Sequence, residues 1–521
     1  MKKLFPWLSF LVLTALFMVA LFYNKTVIGY HSGTLPFELN RIGGIGAILS
    51  GPVNYVVDGT IGNPINLFYP WLIYSITYPI GYALTSFIYG YMAIFAIFTY
   101  LTLAIAYLVA KKITGNSVQA MLFSVFWTFA AYRTFDVTRS VAGEALAFAF
   151  IPLAFFGLYK LIKTQGKSWW IVTLALTLIT YTYPTIAWVV SIYLIIGLII
   201  LKNKVTDMQS MWLGLTKAAL ISFFTTSFYW VPLLEEAKIP FQPASHLQIQ
   251  TAALNPIKVL TNSVTNNVTG YGIGIVMVIL LVWSFIDWHK LTFIYRSKLV
   301  WGGVSLILAT NIIPWPLLGS RFNFVLMLPG MFMIMATLFI SWVGSYVVAS
   351  YQKSWLNWLV AGLALLAFLV PVVRMQLTAP TSDRVHYNNE ASLVGFYNID
   401  DYLPTAAAQN IKSITKNVFI VNGKREVITR DSFGNRVKFV TPKGIINTPI
   451  IYSAGTRVTI GGKPVHAYVS NRGTVAFKAN MKGNVTVTST YTVWAKAAAI
   501  ISILSFIALF SGMLYDIENN R

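Results

Sequence analysis

Over its first 370 residues or so the chain alternates long apolar runs with short polar breaks, and then the pattern changes. An apolar run of about 20 residues is the length a helix needs to cross a bilayer. The first run, Met1 to about Phe22, follows Lys2 and Lys3 and lacks a small-x-small cleavage site. It reads as an uncleaved signal anchor with its amino terminus in the cytoplasm. Further spans are predicted around residues 97, 123, 152, 176, 193, 223, 280, 307, 335, 363 and 503, giving about 12 transmembrane helices at this span length. Both termini then face the cytoplasm.

From about residue 373 to 490 the period becomes two, as in Asn417-Val-Phe-Ile-Val-Asn-Gly and Thr474-Val-Ala-Phe-Lys-Ala-Asn-Met-Lys-Gly-Asn-Val-Thr-Val-Thr. Alternation broken by Asn-Gly, Lys-Gly and Gly-Gly turns predicts an antiparallel β domain of sandwich type. The expected division is a multispanning part, 1–372, with an extracytoplasmic first loop, 23–84; an extracytoplasmic β domain, 373–490; and a final transmembrane helix with a cytoplasmic tail, 491–521. The first loop carries Leu35-Pro-Phe-Glu-Leu-Asn-Arg-Ile-Gly-Gly, amphipathic enough for a helix lying in the membrane interface, and then the aromatic segment Asn66-Leu-Phe-Tyr-Pro-Trp-Leu.

Composition agrees with a membrane protein: 56% of the 521 residues are hydrophobic and 10% are charged. The 38 Lys and Arg outnumber the 16 Asp and Glu, for a net charge of +22. Part of this excess is topological. Lys111, Lys112, Lys160, Lys163, Lys167, Lys202, Lys204, Lys290, Arg296, Lys298 and Lys353 fall in loops predicted to be cytoplasmic, as the positive-inside rule requires. Residues 373–490, however, hold 15 Lys and Arg against 6 Asp and Glu on the opposite side. That surplus suits a polyanion or anionic lipid headgroups.

The chain has no cysteine, which excludes disulfides, thiolate metal sites and a cysteine nucleophile. None of its five histidines is paired at the i, i+4 spacing of a helical metal site. Neither a phosphate loop nor a dinucleotide fingerprint is present. No cofactor is therefore expected, a divalent cation being left open with no ligands assigned, and nothing points to nucleic acid. Any activated group must arrive in the substrate.

Polar chemistry on the predicted outer face is sparse: Glu38, Asp58, Asp136, Glu144, Glu235 and Glu236, with Arg41, Arg133, Arg139 and Arg321. Glu38 with Arg41 and Asp136 with Arg139 are each spaced i, i+3, which places both members on one helix face. Such pairs suit group transfer from a phosphate-activated donor. A carboxylate takes the proton of an acceptor hydroxyl while guanidinium groups hold the departing phosphate. They equally suit interfacial salt bridges that fix helix ends. Glu235 and Glu236, after Phe228-Tyr-Trp-Val-Pro-Leu-Leu, read as a solvated helix end.

The order of several of these segments resembles a known family. His31-Ser, Phe37-Glu-Leu-Asn-Arg-Ile, Phe68-Tyr-Pro, Tyr132-Arg-Thr-Phe-Asp-Val-Thr-Arg-Ser-Val-Ala-Gly-Glu, Ser227-Phe-Tyr-Trp-Val-Pro-Leu and Asp401-Tyr-Leu-Pro are similar to segments of the YfhO-like bacterial membrane proteins. A related group carries a misleading name after pyruvoyl-tetrahydropterin synthase. The resemblance spans most of the chain and implies a GT-C-type, inverting glycosyltransferase of the bacterial cell membrane. Such an enzyme uses a polyprenyl-phosphate sugar donor and glycosylates an envelope acceptor, a teichoic acid-like polymer or a glycolipid, on the outer face. It implies Glu38 or Asp136 as catalytic base, Arg41, Arg139 and Arg321 as donor phosphate ligands, and Asp58 and Glu144 in support. Family members show an Asp followed four residues later by a His in the first loop, where this chain has Thr34 and Glu38. That departure keeps a catalytically inactive scaffold of polymer assembly in view. A lipid or saccharide transporter is the other rival, although no internal repeat supports it.

Overall fold

The computed structural model describes residues 4–22, 26–29, 34–56, 61–62, 64–139, 142–239, 253–318, 329–386 and 403–519. Each predicted span centre falls within a helix. Five helices are long and apolar enough to cross a membrane: Phe87–Thr114, Ala142–Lys163, Pro329–Ser350, Ser354–Thr378 and Val493–Asp516. A sixth results if Met208–Thr225 and Ser227–Glu236, bent by 60°, count as one. Phe5–Leu21, Trp169–Thr182, Pro184–Ile200 and Ile275–Ile286 are shorter apolar helices. Pro329–Ser350 is central, with 94% of its apolar window buried, whereas Ser354–Thr378 and Val493–Asp516 are peripheral at 17% each.

Local chemistry ends these helices where the polar breaks lie. Phe87–Thr114 stops at Gly115, whose φ of 72° is left-handed and favours glycine. Lys111 and Lys112 occupy its last turn, where cations oppose the helix dipole. Asn116 then caps Ser117–Thr128, its side-chain oxygen accepting from the Val118 and Gln119 N–H groups at 2.9 and 3.1 Å.

The Leu35–Gly44 helix forms as its pattern predicts, and it leaves no face exposed. All ten of its residues are buried. It packs closely against Phe87–Thr114, and at Gly43 an added Cβ would stand 3.1 Å from the Phe87 ring. Two charged residues on this helix are therefore sealed inside the protein, a cost that pairing and hydrogen bonds must offset.

The β part consists of two five-stranded antiparallel sheets. Strand β1 (Thr26–Ile28) belongs to the first loop and pairs antiparallel with β2 (Arg384–His386). Strands β3 (Val418–Val421), β4 (Lys424–Val427), β5 (Arg430–Phe433), β6 (Arg436–Thr441), β7 (Gly444–Ile451), β8 (Thr456–Ile460), β9 (Lys463–Val465), β10 (Ala467–Val469), β11 (Thr474–Ala479) and β12 (Gly483–Ser489) follow. One sheet runs β10-β11-β7-β3-β4 and the other β5-β6-β12-β8-β9. The Asn-Gly signal yields the β3–β4 hairpin. Asn422 and Gly423 have φ of 49° and 81°, the two positive values that a type I′ turn requires.

The predicted boundary between the two parts is crossed by the first loop. Val53 and Tyr55 are fully buried in the β core with Phe419, Val437, Phe477 and Val487. Ile61 packs with Leu403, Ala407 and Ile451, and its carbonyl accepts the Ile451 N–H at 3.0 Å. Glu235 and Glu236 depart from the solvated helix end expected of them. Glu236 is 1% exposed and its Oε2 accepts the Ala454 N–H at 3.0 Å, while Glu235 accepts the Thr492 hydroxyl at 2.6 Å. The reason is tertiary: the turn after β7 and the start of the last helix fold back onto these carboxylates.

Tyr55 is thus a first-loop residue on which the β part depends. Removing a buried aromatic costs about 3–5 kcal/mol. Tyr55→Ala is expected to open the β part to protease well below the wild-type temperature while the exposed-site control Val440→Ala does not.

Candidate functional site

Glu38 and Arg41 lie one turn apart on the Leu35–Gly44 helix. They are 3% and 1% exposed, and Arg41 Nη1 donates to Glu38 Oε2 at 3.0 Å. The Tyr74 hydroxyl donates to the same oxygen at 2.8 Å. Arg41 Nη2 donates to the Pro70 carbonyl at 3.0 Å. The guanidinium carbon sits 4.5, 4.9 and 5.6 Å from the ring centroids of Tyr74, Tyr69 and Phe37. Burial pushes the Glu38 carboxyl up, against the opposing pull of Arg41 and of hydrogen bonds from Tyr74 and the Ala142 N–H.

That Ala142 amide links the first loop to the second cluster. Ala142 opens the helix Ala142–Ala147, and its N–H belongs to the first turn, which has no partner within the helix. Glu144 follows two residues on, 4% exposed, with its Oε1 accepting the Tyr132 hydroxyl at 2.6 Å. Between them, Gly143 allows contact with the end of Trp169–Thr182. A Cβ there would lie 2.8 Å from the Thr182 carbonyl and from the Tyr183 ring. Tyr183 in turn stands 6.4 Å, centroid to centroid, from the Tyr69 ring that faces Arg41. The Thr34 N–H also donates to the Arg139 carbonyl at 2.9 Å.

Asp136 is 1% exposed on the Ala131–Thr138 helix. Burial pushes its carboxyl well up, neighbouring Glu144 pushes the same way and Arg133 opposes both. Its Oδ2 has no hydrogen-bond partner among the described residues. Arg133 is fully buried and donates to the Ala145 and Thr128 carbonyls and to Thr99 Oγ1 at 3.4, 3.0 and 3.0 Å.

The i, i+3 spacing of Asp136 and Arg139 does not produce an ion pair. Among the described residues the ion pairs are Glu38–Arg41 and Asp287–Lys290. Arg139 sits at the carboxyl end of its helix and donates through Nε and Nη2 to the Thr269 carbonyl at 3.1 and 2.8 Å. The helix ends at Arg139, so its side chain follows a different course from one inside a continuing helix. Arg139 is half-buried, in contrast to Arg41 and Arg133. Asp58 and Arg321 lie outside the described residues.

Two contributors had no role assigned from sequence, although Arg133 was named among the outer-face cations. Arg133, three residues before Asp136, takes the electrostatic place expected of Arg139, because the turn of the helix gives both arginines the same spacing from the carboxylate. Tyr74 reaches Glu38 across 36 positions of chain, a separation over which no periodic signal operates. Asn66, Pro70, Trp71, Tyr181, Tyr229 and Tyr491 border a cavity of about 40 Å³ beside the Arg41 supports. At about 10–15 Å³ for each water, a space of that size holds a few waters. No group of three His, Asp or Glu that could hold a metal ion occurs among the described residues.

Comparison with protein-family models, with curated proteins and with solved structures gives no match.

Arg133→Met is expected to lower stability, because it strands the buried Ala145 and Thr128 carbonyls at about 1–3 kcal/mol each and removes the charge that opposes the burial of Asp136. Adding Asp136→Asn should recover part of that loss, read as thermal midpoints of the purified single and double variants. Strict additivity would show that the two groups are not coupled.

Proposed function

We propose that the chain is a membrane glycosyltransferase that moves a sugar from a polyprenyl-phosphate donor to a hydroxyl of a cell-envelope acceptor, with Asp136 as the general base. The observation that carries this reading is the buried, unpartnered Oδ2 of Asp136. A buried acceptor atom without a donor costs stability and calls for a physical reason. An incoming acceptor hydroxyl supplies that donor. Burial and Glu144 hold the carboxyl above its ordinary range, which makes its ionised form a stronger base than a free carboxylate.

In this mechanism the acceptor oxygen attacks the anomeric carbon of the sugar as Asp136 takes its proton. The bond from that carbon to the phosphate oxygen breaks, and the polyprenyl phosphate leaves with the electron pair. Direct displacement inverts the sugar carbon. Arg139 exchanges its Thr269 carbonyl for the departing phosphate, since it is the half-buried arginine of the group. Glu38 and Arg41 satisfy one another and hold the first loop against the Tyr132–Glu144 block. The helices long and apolar enough to cross a membrane keep a lipid-linked donor within reach. The reading places the site and the β domain outside a bacterial cell membrane, with about 12 spans and both termini in the cytoplasm.

A second reading, a scaffold of envelope polymer assembly without catalytic activity, draws on the sealing of Glu38, Arg41 and Arg133, all at most 3% exposed and engaged with protein groups.

Purified protein with a radiolabelled polyprenyl-phosphate sugar and an acceptor separates the two. Asp136→Asn is expected to lower transfer by about 10²–10⁴-fold while donor binding persists. The wild-type rate should rise with pH through the elevated range of this carboxyl, because the base must be ionised, and the residual rate of the variant should not. Full transfer by Asp136→Asn would overturn the assignment, and no transfer by the wild type would favour the scaffold.

A further inference from the structure

We propose that the outer face of the β5-β6-β12-β8-β9 sheet is a docking surface for a linear polyanion, with Arg436, Lys438 and Arg457 at its centre. The face follows from strand alternation. Val437, Phe439, Val458, Val485 and Val487 are buried in the core between the sheets. Their neighbours Arg436, Lys438 and Arg457 are therefore turned outward, and all three are exposed.

The register sets their arrangement. Phe433 opposes Arg436, Arg436 opposes Thr488 and Thr488 opposes Arg457, making one row across four strands. The next row on the same face reads Asp431, Lys438, Thr486 and Thr459. With strands about 4.8 Å apart, Arg436 and Arg457 flank Thr488 at a backbone separation of about 10 Å, and Lys438 lies about 7 Å along the strand. Two guanidinium groups and an ammonium thus surround half-buried threonine hydroxyls, a donor-rich surface for phosphate or carboxylate oxygens.

One carboxylate shares the face with these cations, that of Asp431, cross-strand from Lys438. Residues 403–492 contain 13 Lys and Arg but only two acidic residues, Glu426 and Asp431. No ion pair among the described residues involves Arg436, Lys438 or Arg457. Lys438 Nζ instead lies 5.9 Å from the centroid of the exposed Phe433 ring.

The distribution selects a linear partner. The Arg436 row sits at the end of the sheet next to Ser489, from which the chain passes into the helix Val493–Asn519. Exposed Lys443, in the turn after β6, and exposed Lys482, beside the first residue of β12, stand at the opposite end. The cations therefore follow the strand direction for about 20 Å, six residues at about 3.4 Å each. A flat bilayer adjoining that helix would meet one end of this track, whereas a chain of anionic groups can follow its length. The inference rests on the glycosyltransferase reading only in making that polymer the acceptor.

The test is direct binding by the full-length protein in discs of zwitterionic lipid. The probe is fluorescently labelled linear inorganic polyphosphate at fixed low salt, where surface electrostatics are least screened. The combined variant Arg436→Gln, Lys438→Gln and Arg457→Gln is expected to bind at least tenfold more weakly. The control Lys412→Gln, Lys416→Gln and Lys424→Gln removes the same charge elsewhere on the β part and should change affinity less than twofold. Equal losses would mean diffuse attraction, and no loss would mean no track; either overturns the proposal. So would unchanged polyphosphate binding with lost association to phosphatidylglycerol vesicles, which would assign the face to a membrane surface. Because no sugar transfer is read, failure here leaves the Asp136 assignment standing, and failure of that assignment leaves this one standing.

Discussion

Charged groups sealed among apolar side chains have to find their partners within the protein, and the joining of the first loop to the Tyr132–Glu144 block follows from that need. Glu38 is satisfied by Arg41, Tyr74 and the Ala142 amide, which come from three separate stretches of chain. Arg41 in turn holds the Pro70 carbonyl. Removing any of these groups leaves a charge or a carbonyl stranded. The arrangement therefore selects one placement of the Leu35–Gly44 helix. The same logic makes Asp136 conspicuous, since it is the carboxyl in this region whose oxygen lacks such a partner among the described residues.

A second dependence links the two halves of the molecule. The β sheets do not close their core alone, because Val53 and Tyr55 from the first loop fill part of it and Ile61 packs under Ile451. Ten residues separate Tyr55 from the end of the Leu35–Gly44 helix. Glu235 and Glu236 tie the opposite side, through Thr492 and the Ala454 amide. The polar cluster and the β part are thus held by the same short segments, and a sheet face that gathered an acceptor would do so at a fixed position relative to Asp136.

Much of the architecture was legible in local pattern. Apolar runs marked the long helices, each predicted span centre falling within one. Asn422-Gly423 marked a hairpin that adopts the required backbone. The candidate site was legible only in part. Spacing correctly joined Glu38 to Arg41 but suggested a bond from Asp136 to Arg139 that the structure does not form. An i, i+3 interval states only that two side chains share a helix face. It cannot say that the helix stops at Arg139, or that the Thr269 carbonyl stands within its reach. Nor could composition show that the surplus cations of the β part include Arg436, Lys438 and Arg457 on one sheet face.

The sequence by itself determined the long helices, the β character of the region before the last helix and which residue types are available for chemistry, because 3.6- and 2-residue periods are properties of neighbouring positions. Tertiary structure alone decided that Glu38 meets Ala142, that Glu144 lies beside Asp136, that Tyr55 completes a core more than 360 positions away, and that three cations from two non-adjacent strands line one face. The physical reason is that burial and pairing depend on contacts between distant parts of the chain. Residue order specifies those contacts only through the packing of the whole.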